Sequence, residues 1–188
     1  AEAAGQGVVS ITFDNGVLVH LRSMDRQPGR VLLHLGLAGG RIQERAGEVG
    51  LTAAGATVFA VPACRRRPAA SFRRLFAART IDLSGWVDED LVSVRLSASC
   101  EDLEVALEAL HLLLAEPRLE PFVLDRWRHM LARQAADRGA SVESSLAAAA
   151  VSLLTGGDHR FLLVSEDHAR AISLDRAQGW LDRLVGSA

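Results

Sequence analysis

Apolar positions change their period several times along the chain, and each change predicts an element. Val8–Phe13 and Val17–Arg22 alternate in character around Asp14-Asn15-Gly16. Asn-Gly between two such runs predicts a tight hairpin, because a type I′ turn needs positive φ at both central positions. Arg30–Ala38 is apolar enough to predict a third, central strand, ended by Gly39-Gly40. Gly50–Val61, small and apolar, predicts a closely packed helix that Pro62 stops. Pro68 suits the first turn of a helix over Ala69–Arg79, with Phe72, Leu75, Phe76 and Arg79 on one side. The period then returns to two. Ile81, Leu83 and Gly85, followed by Leu91, Val92, Val94 and Leu96, predict two strands joined at Asp88-Glu89-Asp90.

Helical patterns fill the rest. Glu101–Glu116 has acidic residues in its first turn, where the helix dipole favours them, and a stripe of Leu103, Leu107, Leu110 and Leu114. Phe122–Arg138 places Leu124, Trp127, Leu131 and Ala135 on one face. Ser141–Leu154 predicts an Ala-rich helix and Ser173–Val185 a terminal one, with Ser173 as N-cap. Ala1–Gly7 reads as a linker, and residues 8–188 as a single domain. The predicted class is α+β: a two-layer sandwich with a mostly antiparallel sheet of about five strands and helices on one face.

Composition narrows the function classes. The 188 residues are 49% apolar and 23% charged, which excludes disorder and collagen-like structure. A chain this long buries roughly two thirds of its unfolded surface, so it needs no staples. A net charge of −2 excludes general nucleic-acid binding. All 21 basic residues are Arg, a bias expected of a GC-rich, bacterial genome. Cys64 and Cys100 are the only cysteines; a single pair is no disulfide framework, and it leaves cytoplasm and periplasm both open. No apolar run reaches the ~18 residues of a membrane span. The chain opens at Ala1, without Met or a signal-peptide pattern, and is expected to be a processed chain or a piece of a longer one.

The order of elements and several local motifs resemble one homologous half of the M16 zinc metallopeptidases, the family of pitrilysin, insulin-degrading enzyme and the mitochondrial processing peptidases. The residues that carry the resemblance are Phe13-Asp14-Asn15-Gly16-Val17 with Val19, the strand ending at Gly39-Gly40, the helix start Gly50-Leu51, and Asp102-Leu103-Glu104 before a helix ending at Pro117-Arg118. The resemblance implies an α/β half of a clamshell, in which two or four such halves enclose a chamber and one carries zinc. A final strand normally follows the last helix; the chain ends at Gly186-Ser187-Ala188, so that strand is expected to be absent.

The family's catalytic signature is His-x-x-Glu-His, two ligands one helical turn apart with a Glu that activates the zinc-bound water. The matching positions here are Thr52, Gly55 and Ala56, and none can ligate a metal or act as a base. The later helix offers no carboxylate between Asp125 and Asp137 as a third ligand. The resemblance thus implies a non-catalytic half, without a cofactor of its own, that binds extended peptide and packs on a zinc-bearing half in the same chain or a partner subunit. The alternative is an inactive scaffold or assembly subunit. In some non-catalytic halves an Arg at a helix end and a Tyr seven residues later hold the substrate carbonyl; Arg79 and Trp86 have that spacing, with an indole N–H in place of the phenol.

Other candidate chemistry is thinner. Glu108-x-x-His111 lacks the second motif that carboxylate metal sites need. Asp158-His159 and Asp167-His168 read as solvated loops or a surface metal clip. Cys64 precedes Arg65-Arg66-Arg67, which would stabilise a thiolate, but has no base in its motif. There is no Gly-x-Ser-x-Gly elbow, and Gly36-x-x-Gly39-Gly40 lacks the ending of a phosphate loop. The arginines from Arg65 to Arg79 read as a solvated face balanced by acidic segments, or as a dock for an acidic partner.

Overall fold

The computed structural model describes residues 2–4, 7–25, 27–139 and 141–186. Six strands form two antiparallel, three-stranded sheets. The first contains β1 (Glu2–Ala4), β2 (Val8–Thr12) and β3 (Leu18–Arg22), in that order. The opening residues, read as a linker, thus contribute a strand to this sheet. The β2–β3 hairpin forms where Asn-Gly predicts it, but its turn has three residues. Phe13 N–H donates to Val17 O at 2.9 Å, Gly16 N–H donates to Phe13 O at 2.9 Å, and Gly16 sits at φ +86°. That is the longer hairpin connection, which needs a left-handed glycine only at its last position.

The second sheet contains β4 (Arg30–Ala38), β5 (Ile81–Val87) and β6 (Leu91–Ser99), in the order β4-β6-β5. β4 has the predicted bounds but lies at an edge; β6 is central. Register explains the difference. Leu33, Leu96 and Leu83 are opposite one another, as are Leu35, Val94 and Gly85, and these rows point into the core. Leu32, within the same apolar run, points the other way and is 54% exposed. An unbroken apolar sequence therefore conceals an alternation that leaves one face wet.

Among the described residues two α-helices lie between β4 and β5 and five follow β6; six of the seven match predicted segments, and the short one at Glu166–Ala171 has no predicted counterpart. α1 (Leu51–Ala56) continues as a 3-10 turn over Thr57–Phe59, and α2 spans Ala69–Ala77. Then come α3 (Leu103–Ala115), α4 (Pro121–Gly139), α5 (Val142–Leu154), α6 (Glu166–Ala171) and α7 (Leu174–Gly186). Helices pack on the inner face of the second sheet, where Val58, Phe59, Val92, Val94 and Leu113 are fully buried. α4 buries Leu124, Trp127 and Leu131 as predicted. α3 is rotated from its predicted stripe: Ala106, Leu110 and Leu113 face inward, and Leu107 is exposed. Ala106 packs in the core with the sheet and Ala109 against Cys64 and Phe72, which a count of leucines does not reveal. Ser141 and Ser173 cap α5 and α7, their Oγ atoms accepting from Ser144 and Arg176 N–H at 3.2 Å each.

One carboxylate joins four element ends. Asp102, before α3, accepts from Arg79 Nη1 at 2.8 Å, from Thr80 N–H at 3.0 Å and from Ser99 Oγ at 3.0 Å. These donors lie beyond α2, before β5 and at the end of β6. The Arg79 guanidinium and the Thr80 amide hold the Asp102 carboxyl below its ordinary value of 3.8. A group whose pKa is depressed by folding contributes stability above its unfolded pKa and loses it as pH falls through the folded one. Asp102→Asn is therefore expected to lower the urea midpoint at neutral pH and to flatten its decline in acid. Midpoints measured from about pH 7 to about pH 2 check this; a variant that tracks the wild type throughout would remove Asp102 from its linking role.

Candidate functional site

α1 is where the resemblance places zinc chemistry, and its surroundings are built by residues far apart in sequence. Gly50 starts the helix at φ +85°. Glu44, only 6% exposed, reaches back to the helix start. Its Oε2 accepts from Gly50 N–H at 3.0 Å and its Oε1 from Thr52 N–H at 2.7 Å, so a side chain from outside α1 satisfies amides that the helix cannot. His159 Nε2 donates to Glu44 O at 2.9 Å, which fixes a proton on that nitrogen and pins the loop from the other side.

Each position matching the zinc signature is buried. Thr52 is 0% exposed, and its Oγ1 finds no hydrogen-bond partner among the described residues. Ala56 is 5% exposed. Gly55 lies against the ring of Trp180 on α7: a Cβ at position 55 would come within 2.1 Å of Trp180 Cε3 and 3.2 Å of Ala177 O. An open cleft of about 760 Å³ borders α1 and includes Gln43, Glu44, Arg45, Glu48, Trp180 and Arg183.

This arrangement does not fit a zinc ion. No residue from Leu51 to Thr57 is His, Cys, Asp or Glu. Glu44, the buried carboxylate at the helix start, has both oxygens engaged by backbone amides. The space a glutamate would need at position 55 contains an indole. Among the described residues, no group of three His, Cys, Asp or Glu side chains converges.

The remaining candidates are dispersed. Asp158 is held by Arg160, whose Nε donates to Oδ1 at 3.0 Å and whose Nη2 donates to Oδ2 at 2.5 Å, and this drives the carboxyl far below the carboxylate range. His168 accepts at Nδ1 from Ser165 N–H within the α6 cap. Glu108 and His111 are exposed on α3. Cys64 is buried, Cys100 is exposed, and both are free thiols. The arginine stretch is largely paired: Arg66 with Glu116 at 2.7 Å, Arg65 with Asp182 at 3.7 Å, and Arg79 with Asp102 at 2.8 Å. Such exposed pairs are worth little each, but they consume the charge that would recruit an acidic partner.

Arg79 and Trp86 lie at opposite ends of β5, so the structure does not bring them together. Arg79 is committed to Asp102. Trp86 is on the outer face of the second sheet, 43% exposed, and stacks on His34 with ring centroids 5.6 Å apart and planes 8° from parallel. Its Nε1 donates to Asp88 Oδ2 at 3.1 Å. Sequence reasoning missed Glu44 and Trp180. Neither has a motif: one is a buried acid in a loop, the other an aromatic in an ordinary helical stripe. The one available signal for the contact is Gly55 inside a helix, since an interior glycine needs a packing reason.

No protein-family profile matches the sequence, and no curated protein does. Solved structures match its fold throughout. The periplasmic protease PqqL from Escherichia coli superimposes with a TM-score of 0.83 at 15% identity, over 97% of this chain and 20% of that one. The ferredoxin protease FusC gives 0.79 at 18%, over 98% and 20%. A peptidase M16 inactive domain from Pseudomonas fluorescens gives 0.75 at 15%, over 93% and 42%. The chain therefore has the fold of an M16 half-domain and spans between 20% and 42% of the length of these neighbours.

Two substitutions probe the α1–α7 contact. In an exposed helix Gly→Ala gains up to about 1 kcal/mol; Gly55→Ala is expected to lose about 1–3 kcal/mol instead, because the methyl meets Trp180. Thr52→Val removes the unpaired hydroxyl at constant volume and is expected to be neutral or to gain up to about 1 kcal/mol. Urea unfolding of both variants checks the pair, and a stabilised Gly55→Ala protein would refute the contact.

Proposed function

We propose that this chain is a non-catalytic half of a zinc-peptidase clamshell, shaping the chamber that takes extended peptide and packing on a zinc-bearing half. The observation that carries the reading is α1 itself: the turn the resemblance matches to the catalytic signature has no His, Cys, Asp or Glu, and α7 fills the space beside it. A half without metal needs only a sheet, a concave wall and a docking surface. Trp86, exposed on the wet face of the sheet, is the proposed peptide contact. Arg79 joins that proposal only if Asp102 releases it.

Uncovered apolar surface supports packing on another body. Val142, Leu153 and Leu154 on α5 are 83%, 83% and 84% exposed. Val9 and Leu21, opposite each other in the first sheet, are 42% and 51% exposed. Patches of this kind mark interaction surfaces. They serve the scaffold alternative equally well, so the peptide separates the two readings.

The test is metal content and peptide turnover, alone and with the zinc-bearing half of the parent or partner chain. Alone, the chain is expected to bind far less than stoichiometric zinc and to cleave nothing. Together, the halves are expected to co-elute and to raise turnover about tenfold or more. Co-elution without added turnover selects the scaffold. Stoichiometric zinc with chelator-sensitive cleavage by the chain alone overturns the proposal.

A further inference from the structure

The outer face of the second sheet has a polar order that neither folding nor the α1 region uses. Register lays it out in rows across β4, β6 and β5: Leu32, Ser97 and Asp82; then His34, Arg95 and Ser84; then Gly36, Ser93 and Trp86. Arg95 is on the central strand, exposed, with its backbone fixed by a neighbour on each side. Among the described residues its side chain makes no hydrogen bond and no ion pair. Arg30, at the edge, donates through Nε to Ser97 Oγ at 2.7 Å. Between them is a hollow of about 290 Å³ lined by Arg30, Leu32, Asp82, Ser84, Arg95 and Ser97.

Charge and shape choose the ligand. Two guanidinium groups face one carboxylate, Asp82, which has no ion pair among the described residues. The hollow therefore keeps an uncompensated positive charge beside hydroxyls that can donate. Along the same face the rings of His34 and Trp86 stack with the indole still 43% exposed, in a row whose other members are the small residues Gly36 and Ser93. A planar, forked donor on a rigid strand suits a carboxylate, and an exposed indole suits the side chain next to it.

We infer that this face is a binding site for a carboxylate of an extended peptide, held by Arg95 with Arg30 beside it, while the neighbouring side chain rests on Trp86. This deepens the proposed peptide role and rests on it. Asp82 opposes the ligand's charge, so it restrains affinity and favours weak, exchangeable binding. The carboxylate can come from an Asp or Glu side chain or from a free C-terminus, and the experiment separates these.

Trp86 is the reporter, since Trp127 and Trp180 are buried. The full 188-residue chain is titrated by fluorescence with four ten-residue peptides of one sequence. They carry a central Glu or Gln, each with a free or an amidated C-terminus. The Glu or free-terminus member is expected to bind about tenfold tighter than its neutral counterpart, and the one that does identifies the source. Arg95→Gln is expected to abolish that preference, and Asp82→Asn to tighten carboxylate binding severalfold; circular dichroism confirms that both variants stay folded. Equal affinity for charged and neutral peptides, an Arg95→Gln protein that keeps the preference, or no binding by any peptide overturns the inference. Co-elution with a zinc-bearing half would survive all three results, so this failure is distinct from failure of the clamshell reading.

Discussion

The absence of a side chain at position 55 sets the rest of the structure. It lets the indole of Trp180 rest on the backbone of α1, and that contact brings α7 down so that Ala177, Leu181 and Leu184 close the core. A helix bearing two imidazoles and a carboxylate would need that space for itself, with water in reach. Here that turn is hydrocarbon packing, and α7 can approach it only because nothing projects at position 55.

The sheet beneath is divided just as sharply. Its inner rows of Val, Leu and Ile form one wall of the core, and its outer rows carry serine, arginine, histidine and tryptophan. A strand fixes both at once, since successive side chains must point to opposite faces. The helices take the dry face, so whatever the protein binds on the sheet is left the wet one. The first sheet, by contrast, exposes part of its apolar side.

Much of this was legible in the sequence, and the remainder failed for identifiable reasons. The bounds of β4 followed from RVLLHLGLA, but its place at the edge did not, because strand order depends on long-range pairing with Leu91–Ser99. The hairpin at Asn15-Gly16 was readable, whereas its third loop residue was not, since Asp14 fits either turn. The inward stripe of α3 was misread because alanines share it with leucines. At the candidate site, the small side chains of Thr52, Gly55 and Ala56 are plain in the sequence. The plug is not, since Trp180 lies 125 positions later and only tertiary structure brings it back.

Glu44 carries a consequence for what keeps α1 helical. α1 is six residues long, well below the ~12–15 at which an isolated helix holds its shape in water. Its first amides are satisfied by a carboxylate that must arrive from the preceding loop. Such a turn cannot hold its shape by its own propensity, so its helicity rests on the loop, the sheet edge and the terminal helix packed around it.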